Sequence, residues 1–304
     1  MSSNNQDTDS GFEVVATYGH GTENDFFLFF DPENSLELTE DFISAVCSRT
    51  SGVDGAGDSY GAGVVRLGAD GIIRIVREPA GSRAEYFMDY RNSDGSIAQM
   101  CGNGIRVMAR YLVEKGIVKE GIFAINTRAG MKFLSVPAKD DISVNMGQLY
   151  EVGGEITVHA NGHTWSGGVN VDVGNPHAVV VVDDLSDVGP LVDKPIVEPE
   201  DEYPDGVNVE FITFLDNGEI GMRVFERGVG ETRSCGTGTC AVALAATKFA
   251  KKRLPAKWII NPPGGALTVE IDAHSNATMT GPALLIRDVN LSELYDSHLS
   301  SSRE

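Results

Sequence analysis

MCGNGIRVMARYLVEKG (residues 100–116) and SCGTGTCAVALAATKFAKKR (residues 234–253) carry the same four-residue word, Cys101-Gly102-Asn103-Gly104 and Cys235-Gly236-Thr237-Gly238, each at the head of an apolar run. Ile105, Met108 and Leu112 follow at spacings of three and four, and Gly116 is a natural left-handed stop, so the first run predicts a helix starting just past Cys101. The second run is apolar on all sides from 240 to 246, which predicts a buried helix. Its end carries Lys248, Lys251, Lys252 and Arg253 before Pro255, cations suited to a helix C-terminus. A thiol followed by glycines at a helix start meets unpaired N–H groups and the positive end of the macrodipole. That setting cradles an anion and lowers a thiol pKa. In a single copy, a buried structural cysteine beside an ordinary glycine turn would look the same. Two copies in the same helical context predict two thiols facing one substrate from opposite sides.

Outward from the two words, the chain reads as many short strands with one long helix per half. Strand-like stretches at 13–18 and 26–30 flank a tight segment at 19–25. A helix is expected from Thr39, with Glu40 and Asp41 in its first turn, to about residue 49, followed by a glycine-rich loop over 51–63. Residues 63–67 and 71–77 read as a hairpin around Asp70-Gly71, and 85–90 as a strand ending in the turn 92–95. β-prone runs with turn signals, Asn161-Gly162 among them, fill 121–182; the acidic stretch 183–204 is a connector with at most a short helix. Strands at 207–215 and 219–225 lead into the second word, and further strands run to about 289. The predicted class is α+β, an α/β two-domain chain of two pseudo-symmetric halves, each a curled mixed sheet around a central helix with the site in the cleft between them. The expected division is 1–144, carrying Cys101, with a disordered lead-in at 1–10 and completed by 282–304, and 145–281, carrying Cys235.

Among 304 residues, 24 Lys and Arg against 44 Asp and Glu give a net charge of −20, which opposes binding to nucleic acid or an anionic membrane. The N-terminus has no basic and apolar secretory pattern, and no apolar run reaches the roughly 20 residues of a membrane span. A cytoplasmic protein with a small-molecule substrate is expected. Four cysteines, at 47, 101, 235 and 240, show neither the paired spacing of a zinc site nor a disulfide framework. Cys47 and Cys240 are read as structural.

Two thiols on opposite faces suit inversion at an amino-acid α-carbon, where one ionised group takes a proton and one neutral group returns it. Cysteine, with an ordinary pKa of about 8.5, can serve in either role, and no cofactor or metal is then required. Backbone N–H groups of the two glycine segments would hold the carboxylate as negative charge develops. Asn24, Asn92, Asn175 and Asn208 fall in turns or at strand ends and could both donate to and accept from an amino-acid head group, although asparagine is common in any turn. Glu226-Arg227 could grip an ammonium and a carboxylate or form a surface ion pair. His177 could support proton transfer or bond within its loop.

At these residues the chain resembles the diaminopimelate epimerase family. The runs YRNSDGSIAQMCGNGIRVMARYL (90–112) and RVFERGVGETRSCGTGTCAVA (223–243) carry the likeness, with GHGTENDF, VDVGNPHAVV and YPDGVNVEF as shorter matches in family order. The resemblance implies cofactor-independent interconversion of LL- and meso-diaminopimelate, on the way to lysine and peptidoglycan, by a homodimer of two-domain subunits. It implies Cys101 and Cys235 as acid and base, and Gly102, Asn103, Gly236 and Thr237 as substrate contacts made largely through the backbone. It further implies Asn24, Asn92, Asn175, Asn208, Glu226 and Arg227 as the pocket lining, with His177 and Glu226 assisting at the thiols. Where the family has Gly-x-Gly-x-Asp-Gly after the first helix, this chain reads SGVDGAGDSYGAGVV (51–65). With the next strand at 63–67, Ala62 falls at the acidic position and neither Asp54 nor Asp58 is assigned. Val107 stands where many relatives carry another cysteine. Rivals are a two-cysteine proline or hydroxyproline racemase or another epimerase of the same fold, a dinucleotide site at 236–241 that lacks the usual acidic residue about 20 positions on, and a thiol or zinc module.

Overall fold

The computed structural model describes residues 13–57 and 66–301. In chain order the first half contains β1 (Val15–Gly21), β2 (Asn24–Phe30), α1 (Glu40–Cys47), β3 (Gly71–Arg77), β4 (Tyr86–Asn92), α2 (Gly102–Glu114), β5 (Gly121–Asn126), β6 (Lys132–Val136) and β7 (Ile142–Gln148). The second contains β8 (Tyr150–Ala160), β9 (His163–Asp172), β10 (Pro176–Val181), β11 (Ile196–Glu198), β12 (Asn208–Phe214), β13 (Ile220–Glu226), β14 (Gly230–Thr232), α3 (Gly236–Phe249), β15 (Ala256–Asn261), β16 (Leu267–Ile271) and β17 (Asn276–Gly281). β18 (Leu284–Asn290) and α4 (Ser292–Ser301) close the chain.

Strand pairing repeats. From β1 to β7 the neighbours β1–β2, β2–β3, β3–β4, β4–β5, β5–β6 and β6–β7 run antiparallel, parallel, antiparallel, parallel, antiparallel, antiparallel. The series β9–β10, β10–β12, β12–β13, β13–β15, β15–β16 and β16–β17 runs in the same order. An antiparallel strand flanks each series, β18 on β1 and β8 on β9, and β7 pairs with β17 across the seam. In each series the helix that follows a Cys-Gly-x-Gly word is the crossover between two parallel strands, α2 between β4 and β5, α3 between β13 and β15. A parallel pair requires such a crossover, and these helices occupy the inside of the curled sheet.

The main core is continuous through both halves and joins the two helices to the strands around them. α2 is buried from Gly102 to Leu112, beyond what its three-four spacing predicts. Arg110 is tolerated there because its guanidinium donates to the carbonyls of Pro137, Ala138 and Asp140. α3 is buried as its all-round apolar sequence predicts. β2 is covered on both sides: Phe26 and Leu28 face the α2 core, while Phe27 and Phe29 face a second core with Phe42 of α1 and Tyr295 of α4.

Thr39 caps α1, Gly116 stops α2 at φ +69, and Asn161-Gly162 turns β8 into β9, each as predicted. Other expectations are corrected. β3 runs parallel to β2 and antiparallel to β4, so both its edges are taken; of the expected hairpin partner only residues 66 and 67 are described, and Leu67 makes an isolated bridge to Asp54. The segment 19–25 is mostly strand, because Gly19 lets β1 lie against β18, where a Cβ would meet the Leu284 carbonyl oxygen at 2.6 Å. The connector 183–204 holds β11 and 3-10 turns at Leu185–Val188 and Glu200–Glu202, and α4 has too few apolar residues to announce itself. The expected lead-in at 1–10 lies outside the described residues.

The β1–β2 turn is Thr22-Glu23, with φ of +51 and +59, a conformation that a β-branched residue adopts only under constraint. The constraint comes from the other half. A hydrogen bond of 2.8 Å joins Thr22 Oγ1 to Ser234 Oγ, Glu23 pairs with Arg233, and the Thr22 carbonyl lies over Gly264, where a Cβ would come within 2.0 Å of its oxygen. Gly264→Ala therefore lowers thermal stability by about 3 kcal/mol, the upper range for overpacking, measured as a drop in Tm by circular dichroism; an unchanged Tm would show that the turn does not dock as described.

Candidate active site

Cys101 and Cys235 are the N-cap residues of α2 and α3, with nearly equal backbone angles of −128°, 122° and −123°, 118°. Each Sγ accepts from the backbone N–H three residues on, Gly104 or Gly238, at 3.4 Å. The helices meet tip to tip at their first residues: a Cβ on Gly236 would lie 3.1 Å from Gly102 Cα. A Cβ on Gly102 would in turn lie 3.4 Å from Gly236 Cα, so glycine at both positions gives the two backbones their closest fit. Two sets of free N–H groups thus open on one cavity of about 250 Å³, with a thiol from each half in its wall.

Every site residue singled out in the sequence lines that cavity except His177: Asn24, Asn92, Cys101, Gly102, Asn103, Asn175, Asn208, Glu226, Arg227, Cys235, Gly236 and Thr237. On the Cys101 side, Asn24 Oδ1 accepts from Cys101 Sγ at 3.4 Å and from Asn103 Nδ2 at 3.2 Å. The Asn103 side chain is fully buried and also donates to the Ser234 carbonyl at 3.2 Å. Asn92 Nδ2 donates to Ser96 Oγ at 3.0 Å in the turn after β4. On the Cys235 side, Asn208 Nδ2 donates to the Pro176 carbonyl and its Oδ1 accepts from the Arg227 N–H, each at 3.0 Å. Glu226 hydrogen-bonds Thr232 and Cys235. Arg227 is exposed at the cavity mouth.

His177 stands behind the wall. It is fully buried, with Nδ1 2.7 Å from Glu210 Oε1 and Nε2 3.1 Å from Asn175 Oδ1, so it reaches the cavity through Asn175.

Two residues escaped the sequence analysis. Asp70 lines the cavity and accepts from Asn24 Nδ2 at 2.6 Å, fixing the amide so that its oxygen faces Cys101. Its signal is Gly68-Ala69-Asp70-Gly71 immediately before β3. That strand begins at Gly71, so Asp70 is the acidic residue directly ahead of it, and Ala62 and Asp58 lie outside the described residues. Asp54 is spent on the Gly57 N–H and on Arg287. Glu210 is an acid in the apolar run Val209-Glu210-Phe211. It is fully buried, and a Cβ on Gly238 would meet its Oε1 at 2.6 Å, which places it against the start of α3.

Neither thiol is lowered, contrary to what a helix N-terminus alone predicts. Burial pushes Cys101 up to about 11; the N–H groups of Gly104 and Asn103 oppose this, and the charge of Glu226 adds to it. Cys235 rises well above its ordinary value through burial and the charges of Glu226 and Glu210. Burial also raises Glu226, against the hydrogen bonds from Thr232 and Cys235. Desolvation outweighs the dipole because the first turns of both helices are inside the protein. Cys47 and Cys240, fully buried and pushed up to about 12, remain structural. Among the described residues no three His, Cys, Asp or Glu side chains group to hold a metal ion, and no helix is long and apolar enough to cross a membrane.

The sequence matches the profile of the diaminopimelate epimerase family over residues 16–152 and 169–286. A diaminopimelate epimerase of Streptomyces coelicolor is 43% identical over 282 residues, covering 89% of this chain and 92% of its own length. One from Thermobifida fusca is 40% identical over 290 residues, covering 91% and 98%. Solved structures share the fold at low identity. A Bacillus anthracis PhzF-family phenazine biosynthesis protein superposes with a TM-score of 0.65 at 14% identity, over 92% of this chain and 99% of its own. A probable proline racemase of Agrobacterium radiobacter K84 gives 0.61 at 16%, over 91% and 92%. The profile match across both halves, with relatives of this identity and coverage, makes the chain a member of the diaminopimelate epimerase family.

Proposed function

We propose that this enzyme interconverts LL- and meso-2,6-diaminopimelate by taking the α-proton onto one of Cys101 and Cys235 and returning a proton from the other, serving lysine and peptidoglycan precursor synthesis. The observation that carries this is the pair of N-cap thiols on two helices that meet at Gly102 and Gly236 in one cavity. The substrate carboxylate rests on the N–H groups of Gly102, Asn103, Gly236 and Thr237. There it accepts charge as the carbanion forms, at a position where these donors need no rearrangement. Asn24, Asn92, Asn175, Asn208, Glu226 and Arg227 orient the ammonium and the distal head group. Arg227, exposed at the mouth, suits the far carboxylate.

With both thiols raised by burial, the free enzyme holds two neutral thiols at neutral pH. A thiolate forms when the substrate ammonium brings positive charge into the cavity, and Glu226, bonded to Cys235 and itself raised, is placed to take the displaced proton. The thiolate then removes the α-proton, the other, still neutral thiol returns its proton to the opposite face, and the pair finishes with its roles exchanged. His177 supports this through Asn175 and Glu210. We further propose that residues 1–144 with 282–304 and residues 145–281 form two domains that close over the substrate, in a cytoplasmic homodimer.

Incubation with LL-diaminopimelate in D₂O gives meso product carrying one α-deuterium per inversion, followed by NMR. Turnover of proline in place of diaminopimelate would overturn the assignment. Cys101→Ala and Cys235→Ala each lower epimerisation by at least about 10³-fold while leaving the circular dichroism spectrum unchanged, because each removes a proton carrier and little packing. Near wild-type turnover in either variant would contradict the two-thiol reaction. Since the thiolate is the reactive form and Cys101 is held near 11, its alkylation by iodoacetamide in the free enzyme rises about tenfold per pH unit from 7 to 10. A plateau reached by pH 8 would show a thiol that burial does not raise.

A further inference from the structure

Arg106 lies one helical turn below Gly102 on α2 and is completely buried, with no acidic side chain within 4.0 Å among the described residues. Nη1 donates to the Gly102 carbonyl at 3.2 Å and reaches Met279 Sδ at 3.8 Å; Nε donates to the Pro282 carbonyl at 3.4 Å. Nη2 is buried and has no hydrogen-bond partner among the described residues. Glycines leave it room: Cβ atoms on Gly21 and Gly281 would lie 3.2 and 3.4 Å from Nη2. Arg110, the next arginine on the helix, shows the ordinary alternative, with three carbonyl acceptors and Glu114 at 3.7 Å. A buried guanidinium without a carboxylate is costly, and a fold normally pairs it.

The repeat shows what is unusual about this position. Arg106 is the fifth residue after Cys101, and the fifth after Cys235 is Cys240, so one half supplies a cation where the other supplies a small thiol. Arg106 and Cys240 interact electrostatically across the junction. Arg106 therefore places a positive charge without a carboxylate partner behind the helix starts, and Lys132 of β6 is a second cation facing Cys240.

We propose that Arg106 is a positioning residue of the two-thiol reaction, its uncompensated charge behind the Gly102 and Gly236 junction strengthening the field that favours the Cys101 thiolate and the anionic carboxylate of the reacting substrate. The inference rests on the proposed function. The groups facing Arg106 are Cys101, Cys240 and Asp141, the last just ahead of β7. Those facing Cys101 are Glu226 from β13, Tyr90 from β4 and Arg106 itself. Burial pulls Arg106 down to about 10, which leaves it charged at neutral pH.

The test compares Arg106→Met, Arg106→Lys and Cys240→Asp in the full-length enzyme, the last variant keeping Arg106 but giving it a carboxylate partner. Two quantities are read: the rate of Cys101 alkylation by iodoacetamide at pH 9, resolved by peptide mass spectrometry, and kcat for diaminopimelate. Arg106→Met and Cys240→Asp are expected to slow alkylation about tenfold and lower kcat by about 10 to 100-fold, whereas Arg106→Lys stays within about threefold of wild type in both. A folded Arg106→Met or Cys240→Asp protein with wild-type alkylation and kcat overturns the proposal. So does an Arg106→Lys protein that loses as much kcat as Arg106→Met, since that marks a packing role. If Arg106→Met does not fold, Cys240→Asp decides. Alkylation uses no substrate, so failure of the wild type to epimerise diaminopimelate would count against the proposed function and leave the charge test standing.

Discussion

Two helix N-termini pressed against each other set the terms for the rest of the molecule. Each carries roughly half a positive charge on its free N–H groups, and the contact of Gly102 with Gly236 brings the two together inside the protein. The like partial charges oppose this contact, and burial holds the two capping thiols neutral. The compensation lies around the junction: the β7–β17 seam, the continuous core, and the Thr22-Glu23 turn docked on Arg233, Ser234 and Gly264.

The halves share strand order and helix placement but support their thiols differently. Behind Cys101 stands a charged network. Asp70 holds Asn24, Arg49 bridges Asp70 and Asp25 at 2.5 Å each, and Arg66 and Tyr18 also bind Asp25. Burial works against the charge on Asp25, but Arg49 and Arg66 outweigh it and hold that carboxyl below the usual range. Burial and Asp25 hold Asp70 above it. Behind Cys235 the corresponding depth is filled by the His177–Glu210 pair and by Glu226. Repeated backbone with unlike supports fits a reaction in which the two sulfurs approach different faces of a substrate that is not symmetric about its reacting carbon.

What the sequence made legible was local. Cys-Gly-x-Gly declares a helix start through its glycines and its following apolar spacing, and the four asparagines and Glu226-Arg227 declare themselves by chemistry at strand ends. All of them reached the cavity. What stayed hidden depended on register and depth. Asp70 was missed because it was read as the turn of an expected hairpin between 63–67 and 71–77, and Glu210 because an acid within a strand becomes meaningful only once its neighbour on the adjacent strand β10, His177, is known. The sign of the thiol shift was missed for the same reason, since a helix dipole can be read from sequence and desolvation cannot.

The central claim is that the two sulfurs flank one carbon. A crystal structure of the Cys101→Ser, Cys235→Ser protein with diaminopimelate bound tests it most directly. The account predicts one α-carbon between the two serine hydroxyls, each within reach on opposite faces, with its carboxylate on the N–H groups of the Gly102 and Gly236 turns. A substrate with both hydroxyls on the same face, or with its α-carbon beyond reach of either one, would contradict it.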